Sequence, residues 1–168
     1  LNTSHDEIAA QDGTTKRTLH HHIGSKQDLV AACYDRAFRI FFLIKDRMIE
    51  HKGSRLDALA AAMHALSLAY PSDEQTPLSP LVGHGALSPE GQAAFDRNSG
   101  LLGDAYHAQL RLGIEEGSIT PIDDIEARAL MLPGLVSWLV KEDVPRDLAQ
   151  QQHIAREVAN LVALGLRP

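Results

Sequence analysis

Lys16, Arg17, Thr18, His20, His21, His22 and Lys26 fall within one short stretch of this 168-residue chain. Every one of these side chains carries N–H or O–H donors. Such a set suits contact with an acceptor-rich surface better than covalent chemistry. A metal reading of the three consecutive histidines fails on geometry. Neighbouring residues on a helix point about 100° apart, so His20, His21 and His22 cannot all bind one ion. Lys26 stands where a helix begins, although a cation there is disfavoured by the helix dipole. A phosphate contact accounts for a Lys kept at that place.

The elements around these residues supply a means of presenting them. Ser4-His5-Asp6-Glu7-Ile8-Ala9-Ala10 reads as a short helix, with Ser4 as cap and Glu7 completing a capping box. Asp12-Gly13 reads as a turn. Thr14 to His22 reads as a second short helix, closed by Ile23-Gly24-Ser25-Lys26. Ile8, Ala9 and Leu19 supply apolar contacts between the two. Two short helices joined by a Gly-containing turn make a helix-turn-helix, whose second helix can enter the major groove of DNA.

Over residues 3–30 the sequence resembles the TetR family of one-component regulators. The pattern is Ile8-Ala9, Gly13, Thr18-Leu19, His22, Gly24-Ser25-Lys26 and Leu29. The chain departs from it at His20, where the family usually has Tyr, at Ile23 (usually Phe) and at Thr15 (usually Ser). The resemblance implies a DNA-binding transcriptional regulator, a repressor released from a pseudo-palindromic operator by a small molecule. On that reading Lys16, Arg17 and His21 meet base edges. Thr18, His20, His22 and Lys26, with Ser4 at a helix N-terminus, meet phosphates. Only Leu1-Asn2-Thr3 precede the motif, which leads us to expect a further supporting helix before it in the full protein.

Composition sets the frame. The formal net charge is −6, which does not suit coating nucleic acid by bulk charge. Lys16, Arg17 and Lys26 balance Asp6, Glu7 and Asp12 across residues 1–26, so the acidic excess lies in the rest. The single Cys33 cannot form an internal disulfide and suits a reducing cytoplasm. No apolar run has membrane-spanning length, no signal peptide is evident, and no membrane role is expected. There is no nucleophile elbow, phosphate-binding loop or dinucleotide fingerprint, so no catalytic residue, metal or other cofactor is expected. The competing reading is an all-helical ligand-binding or enzymatic domain in which the helix-turn-helix pattern is incidental.

Beyond the motif the chain reads as helix throughout. Lys26 to about Lys52 repeats Leu29, Cys33, Ala37, Ile40, Phe41, Ile44 and Met48 at three- and four-residue steps. Ser54 with Asp57 caps a helix to Tyr70, through Leu56, Leu59, Met63 and Leu66. A polar loop spans 71–77, and a short helix is expected over 79–85. Ser88-Pro89-Glu90 starts a helix to about Glu116, whose Gly91, Gly100, Gly103 and Gly113 ask for close packing, a kink or a break near Asn98-Ser99-Gly100. Asp123 or Asp124 caps a helix to about Lys141, with a kink at Pro133. The last helix begins at Pro145 and ends at Gly165.

The fold class is therefore all-α. Residues 1–30 are expected to be a helix-turn-helix domain without its first helix, continuous with a helical ligand-binding and dimerisation domain over 31–168. Met63, His64, Ser67, His84, Tyr106, His107 and Trp138 are the candidates for a pocket whose ligand is mainly apolar with a few hydrogen-bonding groups. The pocket is expected among helices 26–52, 54–70, 88–116 and 124–141, roofed by 79–85. Leu135, Leu139, Ile154, Val158, Leu161 and Val162 are the candidates for a homodimer interface built from the last two helices.

Overall fold

The computed structural model describes residues 25–69, 84–137, 139 and 147–168. Five helices make up nearly all of this: α1 (Lys26–Ile49), α2 (Arg55–Ala69), α3 (Pro89–Glu115), α4 (Ile125–Ser137) and α5 (Leu148–Leu166), with a single turn of tighter helix at His84–Ala86. Among the described residues there is no strand, and no helix is long and apolar enough to cross a membrane.

Local chemistry fixes most helix starts. The Ser25 hydroxyl accepts from the Asp28 N–H, and the Asp28 carboxylate accepts from the Ser25 N–H, a reciprocal capping box. Ser54 accepts from the Asp57 N–H at 3.1 Å. Ser88 accepts from the Gly91 N–H, with Pro89 in the first helical position. Asp124, rather than Asp123, accepts from the Ala127 N–H at 2.9 Å.

The ends differ more from expectation. α1 stops at Ile49, three residues before Lys52. α4 runs through Pro133 to Ser137, and its expected end at Lys141 lies outside the described residues. α5 starts after its cap Asp147 and continues through Gly165 to Leu166. Gly165 is therefore interior: α5 needs no left-handed residue to end, because Arg167 leaves it in extended conformation. Tyr70 and the loop 71–77 lie outside the described residues, as does most of the expected short helix 79–85.

α3 is continuous through Asn98-Ser99-Gly100, so its glycines mark packing and space rather than a break. It ends in a Schellman motif: the Ser118 N–H donates to the Gly113 carbonyl and the Gly117 N–H to the Ile114 carbonyl. Gly117 has φ +80°, the left-handed region that favours glycine.

The core is organised around α2. Its Ala-rich sequence is apolar on more than one side, and Leu56, Ala58, Leu59, Ala62, Met63, Leu66 and Ser67 are all buried. α2 meets α1, α3, α4 and above all α5. Ser67 is tolerated there because its hydroxyl donates to the Met63 carbonyl at 2.8 Å. From α5, Ala155, Val158, Val162 and Leu166 turn inward.

Candidate functional site

One face of α3 carries Phe95, Ser99, Leu102, Gly103 and Tyr106, at the three- and four-residue steps that align side chains along a helix. Facing them are Phe38 and Phe41 of α1, Leu66 of α2, and Ala129, Leu130 and Pro133 of α4. Together they enclose a chamber of about 220 Å³. Its aromatic wall is built of rings packed on one another. The Phe38 and Phe95 rings meet edge to face at 5.5 Å, Phe38 and Phe41 at 6.2 Å, and Tyr34 backs Phe95 at 5.0 Å. Burial pushes the Tyr34 hydroxyl above its usual pKa, with a smaller push from Cys33, so Tyr34 stays a neutral part of that wall.

A second, more open space of about 530 Å³ adjoins the chamber between α3 and α4. Ser99, Gly103, Ala129 and Leu130 border both. The outer groove adds polar side chains to an otherwise apolar lining: Asp104, His107 and Glu126 border it, and His107 Nε2 lies 3.4 Å from a Glu126 carboxylate oxygen. An apolar chamber opening to a few polar groups is the usual form of a small-molecule site.

The glycines explain why there is room. A Cβ at Gly100 or Gly103 would meet nothing within 4 Å. At Gly113 it would run into the Ile119 side chain, which is fully buried. Gly113→Ala should therefore destabilise the protein by about 1–3 kcal/mol through overpacking. Gly103→Ala should stabilise it by up to about 1 kcal/mol by improving helix propensity. Urea unfolding of the two variants checks this; shifts of the same sign would contradict the packing difference.

Of the expected pocket residues, Tyr106 lines the chamber and His107 the groove. Met63 is fully buried within the core, and the Ser67 hydroxyl is engaged by α2 itself. Neither lines the chamber. His64 is half-buried on α2 and lines neither space. His84 sits on the short turn beside α1, and Trp138 lies outside the described residues. Four helices do enclose the chamber, as expected. Phe38, Phe95, Ser99, Asp104 and Glu126 were not anticipated. Three of the chain's four Phe line the chamber, which helical spacing alone does not separate from plain core.

The expected DNA-facing residues Ser4, Lys16, Arg17, Thr18, His20, His21 and His22 lie outside the described residues. Lys26 is the first residue of α1. Phe38 and Phe41 of the same helix wall the chamber, so one rod joins the two regions. The expected dimer stripe divides between the chain's own core and its surface. Leu139, Val158 and Val162 are buried in the chain's own core, while Leu135 and Ile154 are half-buried against it. α5 packs this face on α2. Leu161 is exposed, and so are Leu164, Leu130 and Met131. Among the described residues no three His, Cys, Asp or Glu side chains gather to hold a metal.

No protein-family profile matches the sequence, and no curated protein does either. Solved structures do match. The TetR-family regulator PfmR from Thermus thermophilus aligns over 99% of this chain and 90% of its own, at 23% identity and TM-score 0.83. The chain has the TetR fold. The ketosteroid regulator KstR2 of Mycobacterium tuberculosis aligns over 99% of this chain and 85% of its own, at 17% identity and TM-score 0.84. AibR, solved with isovaleryl coenzyme A and operator DNA, aligns over 99% and 88% at 24% identity and TM-score 0.78. Within the TetR fold, the chamber lies in the larger helical part, and α1 leads back toward the donor-rich segment.

Proposed function

We propose that this protein is a cytoplasmic, dimeric transcriptional repressor that a small, mainly apolar molecule releases from a pseudo-palindromic operator. The observation that carries the reading is the aromatic chamber walled by α1, the helix that begins at Lys26. A ligand preferring one placement of α1 over another shifts the donor-rich segment before it. Binding at one site then costs affinity at the other. The motif resemblance over residues 3–30 and the TetR fold support the DNA side; AibR, bound to an acyl thioester and operator DNA, supports the ligand side. Nothing in this reading requires the protein to transform its ligand.

Lys16, Arg17 and His21 are proposed for base edges, and Ser4, Thr18, His20, His22 and Lys26 for phosphates. Gel-shift titration with the protein's own upstream DNA at several salt concentrations tests this. Binding should weaken with salt, and Lys26→Ala should lower the slope of log affinity against log salt by about 1. An unchanged slope removes Lys26 from the phosphate set, and no binding to that DNA at low salt overturns the regulator reading. The proposed dimer uses the exposed side of the last two helices. Met131 and Leu161 line one groove between α4 and α5, and Leu164 is exposed one helical turn beyond Leu161.

A further inference from the structure

On the reading that the chamber holds the effector, we infer that this effector is a small organic amine, its ring-sized apolar body in the aromatic chamber and its ammonium in the outer groove. Size supports the first half. A cavity of about 150 Å³ lined by Leu, Ile and Phe takes up benzene. The present chamber, about 220 Å³ and walled by Phe38, Phe41, Phe95 and Tyr106, holds one ring with a short substituent.

Charge supports the second half. The groove offers two carboxylates, Asp104 and Glu126, and among the described residues no Lys or Arg lines the groove or the chamber. Among the described lining residues the one able to carry positive charge is His107, and it already faces Glu126 at 3.4 Å. An anionic head would meet two like charges and no fixed counter-charge. An ammonium meets two opposite charges and brings three N–H donors. Acceptors stand at the junction as well. The Ser99 hydroxyl borders both spaces. So does Ala129, whose carbonyl finds no N–H four residues on, because that residue is Pro133.

Calorimetric titration of the whole chain with phenethylamine, phenethyl alcohol and hydrocinnamate tests the assignment. These three share a ring and a two-carbon linker and differ in the charge of the head. The amine should bind about fivefold tighter than the alcohol, the scale of a solvent-exposed ion pair, with the carboxylate weakest. The preference should shrink with added salt. In the Asp104→Asn, Glu126→Gln double variant the amine and alcohol should bind equally. Both side chains are exposed, so the fold should survive. Gly103→Leu, which adds bulk where the backbone leaves open space, should abolish binding of all three without lowering the melting temperature.

Equal or tighter binding of the alcohol or carboxylate, a preference untouched by the double variant, or no binding of any probe overturns the amine assignment. A neutral or anionic molecule that enters the chamber and releases operator DNA overturns it too, yet leaves the regulator reading standing. An amine that binds as described but leaves DNA affinity unchanged has the opposite meaning: the ligand class holds and the regulatory reading fails.

Discussion

Arg55→Ala should cost about 2–4 kcal/mol of unfolding free energy, because one side chain ties the exit of α1 to α3. Its guanidinium donates to the carbonyls of His51 at 2.7 Å, Gly53 at 3.3 Å and Ile49 at 3.4 Å, all at the exit from α1. It also donates to Gln109 Oε1 of α3 at 3.2 Å, and Gln109 is itself buried. At the start of α2 the Arg55 backbone N–H donates to a Glu116 oxygen just past α3. Removing the guanidinium leaves the Gln109 amide oxygen buried without this partner and frees the last carbonyl of α1 and two carbonyls of the turn after it. Arg55→Lys should recover less than half of the loss, since an ammonium cannot reproduce the planar fork. Urea unfolding of both variants measures this; a loss below about 0.5 kcal/mol, as for an ordinary surface residue, would show that the cluster does not hold the helix ends together.

The same cluster gives the protein an acid-sensitive joint. The Arg55 backbone N–H, then the Ser118 hydroxyl at 2.6 Å, and the Arg55 charge hold the Glu116 carboxyl below its usual value of 4.5. A depressed carboxylate pKa means that the folded state binds fewer protons than the unfolded one. Glu116 thus contributes fully above the ordinary carboxylate range, and its contribution is lost as pH falls through the lowered value. Glu116→Gln should flatten that part of the stability profile.

How far such features can be read in advance depends on whether they are local. The caps at Ser54 and Ser88 follow from two or three neighbouring residues, and the sequence is enough to place them. Asp123 and Asp124 are equally good acceptors on paper, and only the path of the turn selects Asp124. The dimer stripe shows the harder case. α5 carries apolar residues on two sides, one through Ala155, Val158 and Val162, the other through Leu161 and Leu164. Helical spacing reveals both but cannot say which one α2 claims. The chamber is harder again. Phe95 is distant in sequence from Phe38 and Phe41, and all three read as plain core. They become a wall because Gly103 leaves the space opposite them unfilled. The DNA-facing segment is legible by motif and lies outside the described residues, so its reading rests on residue types and spacing.

The second large effect concerns the proposed dimer. Leu161 and Leu164 are 59% and 70% exposed in the single chain, and Met131 is 61% exposed beside them on α4. Burying a Leu or Met side chain at an interface contributes about 1.5–3 kcal/mol each, so two copies of this patch supply much of what holds a symmetric dimer. The Leu161→Glu, Leu164→Glu double variant places two carboxylates there on each copy. In the monomer they remain in water and cost little. In the dimer they are buried, at a cost of several kcal/mol that Arg128 on the same groove offsets only in part. Sedimentation should show a folded monomer with unchanged helical circular dichroism. Operator affinity should fall by at least about 10²-fold, since a monomer engages one half-site at a time. Val158→Glu supplies the contrast. Val158 is buried against α2, so its replacement should unfold the chain rather than split the dimer. A double variant that stays dimeric with unchanged affinity places the interface on another face, and a Val158→Glu chain that stays folded would mean that α5 does not turn this side to the core.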